Sequence, residues 1–153
     1  MLQNLLLGYD KKTLDNISNV MNEETYDLNA SMSLWVYLRL KTYLELSQET
    51  IDLKSKKFTI PVVIGINYEY ENVKDYKEIN KFNYEDILKI EFKEKTFKDC
   101  IELAIKYLEN YIISDNCTNE TQSIEITKRD MIGICYAKNA FHIISIIFPS
   151  LWR

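Results

Sequence analysis

The sharpest hydrophobic pattern in this 153-residue chain runs from Phe58 to Tyr70. Every even position there (Phe58, Ile60, Val62, Ile64, Ile66, Tyr68, Tyr70) is apolar or aromatic, and the odd positions are Thr59, Pro61, Val63, Gly65, Asn67 and Glu69. Strict period-two alternation predicts a strand with one buried face and one wetter face. Pro61 has no N–H to give to a ladder and Gly65 weakens a strand interior, so an edge position or a bulge is expected there. Leu88, Ile90 and Phe92 alternate with Lys89, Glu91 and Lys93 and predict a second strand, and Ile124 with Ile126 predicts a shorter third.

Towards both ends the period lengthens to that of a helix. Leu14, Ile17, Val20 and Met21 predict a helix over 11–22. Asn29 or Ser31 can cap a longer one that carries Leu34, Trp35, Leu38 and Tyr43 or Leu44 on one face and ends between Ser47 and Thr50. Thr96-x-x-Asp99 resembles a capping box with Asp in place of Glu. Behind it Phe97, Ile101, Ala104, Ile105, Leu108 and Ile112 form an apolar stripe, with Glu102 and Lys106 as an i,i+4 pair on the wet side and an end near Ser114. Thr127-x-x-Asp130 opens a last helix that Pro149 must end. The fold class is therefore α+β: a small, mainly antiparallel sheet of about three strands with helices packed on one face, in the order α-α-β-β-α-β-α. Without internal repeats, low-complexity tracts or a linker, the chain reads as a single globular domain over 1–153.

The stretch from Met131 to Trp152 is long enough to span a bilayer, but Lys138, Asn139 and His142 sit in its middle. A central Lys alone costs roughly 2.5–3.5 kcal/mol on insertion. Lys138, His142 and Ser145 form a narrow stripe opposite Tyr136, Ala140, Ile143 and Ile147, which predicts an amphipathic core helix and no membrane partner.

Composition narrows the function classes. A net charge of −4 with a pI near 5.1 argues against direct nucleic-acid binding by phosphate neutralisation, which needs clustered Lys and Arg. Sixteen Lys, three Arg, 13 Asn, three Gly and two Pro fit an AT-rich genome such as that of a bacterium, phage or large DNA virus. Cys100, Cys117 and Cys135 are odd in number and widely spaced, and the N-terminus lacks the features of a signal peptide. A reducing, cytoplasmic setting is expected.

Catalytic signatures are weak. Cys135 and His142 share a helix face but stand ~10 Å apart along it, beyond hydrogen-bond reach. A zinc site from Cys100, Cys117, Cys135 and His142 lacks paired ligand spacing. Asp86 or Glu71 with Glu91-x-Lys93 echoes the carboxylates and lysine of metal-dependent nucleases, which use two acids to hold magnesium and a Lys to stabilise the attacked phosphate. The same residues also fit the solvated face of a strand. No cofactor motif is present: GxGxxG, P-loop, HExxH and GxSxG are all missing from the sequence.

Residues 67–86 interleave Tyr68, Tyr70, Tyr76 and Tyr84 with Glu69, Glu71, Asp75, Glu78, Glu85 and Asp86, against Lys74, Lys77 and Lys81. Tyrosine beside carboxylate is interface material, since Tyr brings contact area at low entropic cost and the acids steer a basic partner. The expected function is a non-enzymatic protein-binding module, such as an immunity protein or a phage or viral inhibitor of a host defence protein. Its expected contacts are Glu69, Glu71, Asp75, Tyr76 and Glu78, and its expected partner is a protein with a basic surface. The alternatives are a metal-dependent nuclease or phosphodiesterase using Asp86, Glu91 and Lys93, and a structural subunit of a phage or secretion assembly. The edge of the 58–70 strand offers a route to a homo-oligomer.

Overall fold

A computed structural model of the chain describes residues 10–19, 25, 28–50, 52–67, 83–116 and 124–152. The chain divides into two compact units, Met1–Met32 and Ser33–Arg153.

In the first unit, helix α1 (Lys11–Ser18) starts where the Asp10 side chain accepts the Thr13 N–H at 2.8 Å. This is an N-cap, and the same bond holds the Asp10 carboxyl below its ordinary value. The helix stops at Ser18, with Asn19 extended; Val20 and Met21, expected to continue it, lie outside the described residues. Helix α2 (Leu28–Leu46) begins in this unit. Its start at Leu28 places Asn29 and Ser31 inside the first turn rather than at the cap, and the Ser31 hydroxyl donates to the Leu28 carbonyl at 3.1 Å.

The second unit holds the rest of α2, then α3 (Asp52–Ser55), β1 (Lys57–Ile66), α4 (Tyr84–Ile87), β2 (Leu88–Thr96), α5 (Phe97–Asn116), α6 (Ile124–Ile147) and a closing 3₁₀ turn, Phe148–Ser150, with Pro149 near its start. The α+β class holds, with a sheet of two antiparallel strands among the described residues. The expected third strand is helix: Ile124 and Ile126 fall in the first turn of α6. Two alternating positions fit one helical turn as well as a strand, and the neighbouring Glu125, Lys128 and Arg129 are strong helix formers.

Strands β1 and β2 pair from Lys57 opposite Thr96 to Ile66 opposite Leu88. Val63 faces Ile90 and Gly65 faces Lys89, so Ile64 is the extra residue of a bulge at the expected place. The bulge breaks the predicted alternation. Ile60 is fully buried, whereas Ile64 on the nominally buried face is 53% exposed. Pro61, opposite Phe92, sits on a strand with only one sheet neighbour, where its missing N–H costs no ladder bond. Its carbonyl accepts from Asn139 Nδ2 of α6 at 3.3 Å, and the Val63 N–H donates to the Tyr107 hydroxyl of α5 at 3.0 Å. Two helices thus occupy backbone groups of β1 that β2 leaves open.

Thr96 caps α5 as its spacing predicts, its Oγ1 accepting the Asp99 N–H at 3.1 Å. Phe97, Ile101, Ala104 and Leu108 are buried, Ile105 and Ile112 partly so, and Cys100, Tyr107 and Tyr111 widen the stripe. Glu102 approaches Lys98, one turn back, at 4.0 Å. The main core joins these residues to Leu40, Leu53, Ile60, Ala140, Ile143 and Ile147, and a smaller cluster joins Ile87 and Leu88 to Met131 and Cys135. Full burial of such a side chain stabilises by about 1.5–3 kcal/mol. On α6, Lys138 and Ser145 are exposed and Ala140, Ile143 and Ile147 buried, as the wheel predicts, but Asn139 is also fully buried. Met131–Ser150 is long and apolar enough to cross a membrane, and 44% of its window is buried in the fold.

Candidate functional site

The sequence-predicted contacts Glu69, Glu71, Asp75, Tyr76 and Glu78 lie outside the described residues. The flanks of their segment are tied together. The Asn67 N–H donates to the Ile87 carbonyl at 2.7 Å and Asn67 Nδ2 to the Asp86 carbonyl at 3.1 Å, so the described residues on either side of that segment lie next to each other. Glu85 and Asp86 on α4 are exposed.

Asp86 lies on α4, and Glu91 and Lys93 lie on β2. All three are exposed, with Glu91 opposite Val62 and Lys93 opposite Ile60, and among the described residues no three His, Cys, Asp or Glu side chains converge to hold an ion. Cys117 lies outside the described residues, and the other two thiols are sequestered: burial pushes both Cys100 and Cys135 up to about 11 from an ordinary 9.0. Cys100 donates weakly to the Lys95 carbonyl. His142 turns to neither thiol. Its Nδ1 shares a 2.7 Å hydrogen bond with the Tyr84 hydroxyl, and the Phe92 ring stands edge-on to it with centroids 6.1 Å apart. Burial, with the Glu85 charge adding to it, raises Tyr84 well above the usual phenol range. The pair clips α4 to α6 and brings no nucleophile to the imidazole.

Two features remain that face solvent. The first is on α2. Ser33 and Leu40 are buried and Val36, Tyr43 and Leu44 pack on the core, while Leu34, Trp35 and Leu38 are 44%, 50% and 48% exposed. The single apolar face expected for this helix is in fact two. Residues 34, 35 and 38 sit opposite residues 36, 40 and 43 on a 3.6-residue turn, and each side carries apolar side chains. The Arg39 guanidinium lies 3.8 Å over the Trp35 ring and donates to the Trp35 carbonyl at 3.4 Å, which holds the indole in place.

The second is a cleft of about 440 Å³ lined by the end of α2, by α3 and by the C-terminal turn. Leu53 and Phe97 form its apolar floor, and Trp152 stands on its wall, 71% exposed. The Tyr43 hydroxyl donates to the Trp152 carbonyl at 2.8 Å and reaches the Ser150 carbonyl at 3.4 Å, which fixes the turn carrying that indole. Lys56 Nζ donates to Ser150 Oγ at 2.6 Å. This resembles a serine–lysine dyad in spacing only. A lysine that acts as a base is stripped of solvent, and Lys56 is exposed. Sequence reading missed this site because Lys56, Ser150 and Trp152 are separated by most of the chain; its one local signal is an aromatic placed just after the helix-ending Pro149.

Compared with protein-family models, curated proteins and solved structures, the chain shows no significant match.

Proposed function

We propose that this protein is a non-enzymatic protein-binding module, of the kind used by immunity proteins or by phage and viral inhibitors of host defence. The observation that carries the reading is the outward face of α2, where Leu34, Trp35 and Leu38 present a contiguous apolar surface around an indole braced by Arg39. Trp and Arg dominate binding hot spots because they bring large contact area and, once braced, lose little freedom on docking. Acidic residues Glu69, Glu71 and Asp75 then serve as a steering surface for a partner carrying basic residues.

The test is a tagged pull-down from lysate of the source organism or its host, with a Trp35→Ala/Leu38→Asp double variant and a charge-reversed Glu69/Glu71/Asp75 variant alongside. One stoichiometric partner is expected, lost in the double variant and weakened at raised salt in the charge-reversed one, with unchanged circular dichroism for both. A partner retained by the double variant would move the contact surface elsewhere, and capture of none would overturn the binding-module reading.

A further inference from the structure

The cleft beside the C-terminal turn has a composition of its own. Its volume of about 440 Å³ is in the range of small-molecule sites, roughly 300–1,000 Å³. Two opposite charges line it, Asp52 and Lys56, one helical turn apart in sequence. They do not pair with each other, and the Asp52 carboxylate has neither an ion pair nor a side-chain hydrogen bond among the described residues. Lys56 spends one of its three donors on Ser150 Oγ, which anchors the ammonium at the Ser150 side of the cleft and leaves two N–H groups for another acceptor. The same cleft carries aromatic surface, with Phe97 in the floor, Tyr43 locked by its bonds to the terminal turn, and the exposed Trp152 ring.

We propose that this cleft binds a small aromatic zwitterion of the α-amino-acid class. Its carboxylate meets Lys56, its ammonium meets Asp52, and its ring packs on Trp152 over Phe97. A molecule with one charge of either sign satisfies one of these two side chains and meets its own sign at the other, whereas an α-amino acid, whose ammonium and carboxylate are adjacent, satisfies both neighbours and is neutral overall. Like-charge juxtaposition thus supplies the selectivity. The aromatic requirement follows from the walls, since a flat ring recovers the exposed Trp152 face and an aliphatic chain covers less of it.

The experiment uses the full chain carrying Trp35→Phe, which leaves Trp152 as the sole indole because the sequence has two tryptophans. Phenylalanine is titrated while Trp152 emission is followed, with calorimetry in parallel, and 3-phenylpropionate and phenethylamine serve as the single-charge analogues. Saturable binding of phenylalanine is expected, with each analogue weaker by about tenfold or more. Lys56→Met and Asp52→Asn should each weaken phenylalanine by a similar factor at unchanged melting temperature. In the Asp52→Asn protein the gap between phenylalanine and 3-phenylpropionate should close, a readout that a merely structural role for Asp52 would not move. Absence of saturable binding at millimolar phenylalanine would overturn the proposal, as would analogues binding equally well or Lys56→Met binding undiminished.

Discussion

Helices α2 and α6 pose the same problem and solve it differently. Both carry apolar side chains almost all the way round, so neither has a strong polar side to aim at water. In α6, Ala140, Ile143 and Ile147 are fully buried, and from Met131 onward Lys138 and Ser145 are the exposed positions among the described side chains. In α2 from Ser33 onward, Leu40 is buried while Leu34, Trp35 and Leu38 on the opposite side remain near half exposure. An apolar stripe reports only that a surface seeks cover. Whether the fold itself supplies that cover depends on which elements arrive beside it, which no local pattern encodes.

Substitution is the strongest way to test that contrast. Ile143→Ala should lower unfolding free energy by about 2–5 kcal/mol in urea denaturation, since it empties a sealed site. Leu38→Ala should change stability by about 0.5 kcal/mol or less, because its side chain is half solvated already. A loss at Leu38 as large as at Ile143 would mean that the outward face of α2 is covered in solution.

Alkaline titration probes the buried side alone. Cys100 and Cys135 have folded-state values of about 11 against an ordinary 9.0, so the unfolded chain loses these protons first. Their contribution to stability is complete below about pH 9 and is lost as the pH climbs through about 11. The loss should reach about 3 kcal/mol per thiol, read as a falling urea midpoint, and a Cys100→Ser/Cys135→Ala variant should show a flatter profile. A smaller effect is expected from Thr96→Ala, which removes the α5 cap and should cost about 1 kcal/mol by the same measurement.

Much of the fold was legible because its signals are local. The cap at Thr96, the break at Pro149, the bulge near Gly65 and the wet stripe of α6 each follow from a few adjacent residues and their backbone preferences. What escaped depends on distant partners. Asn139 reads only as a polar residue in the middle of an apolar stretch, yet it is buried, with its Nδ2 donating to the Pro61 carbonyl. The outward turn of Trp35 and Leu38 depends on Leu40 and Tyr43 having claimed the core side. The cleft joins Lys56 to Ser150, 94 positions apart, a spacing no periodicity records. The interface expected at Glu69, Glu71, Asp75, Tyr76 and Glu78 falls outside the described residues, and on its described flanks Asn67 is hydrogen-bonded to Asp86.

The bond from Asn139 to Pro61 also sets a schedule for synthesis. Its partners are 78 positions apart, so the Pro61 carbonyl leaves the ribosome well before its donor. At roughly 5–20 residues per second that delay is about 4–16 seconds. For those seconds the Pro61 carbonyl has only water to accept from, while the strand's other outward bond, from Val63 to Tyr107, can already form.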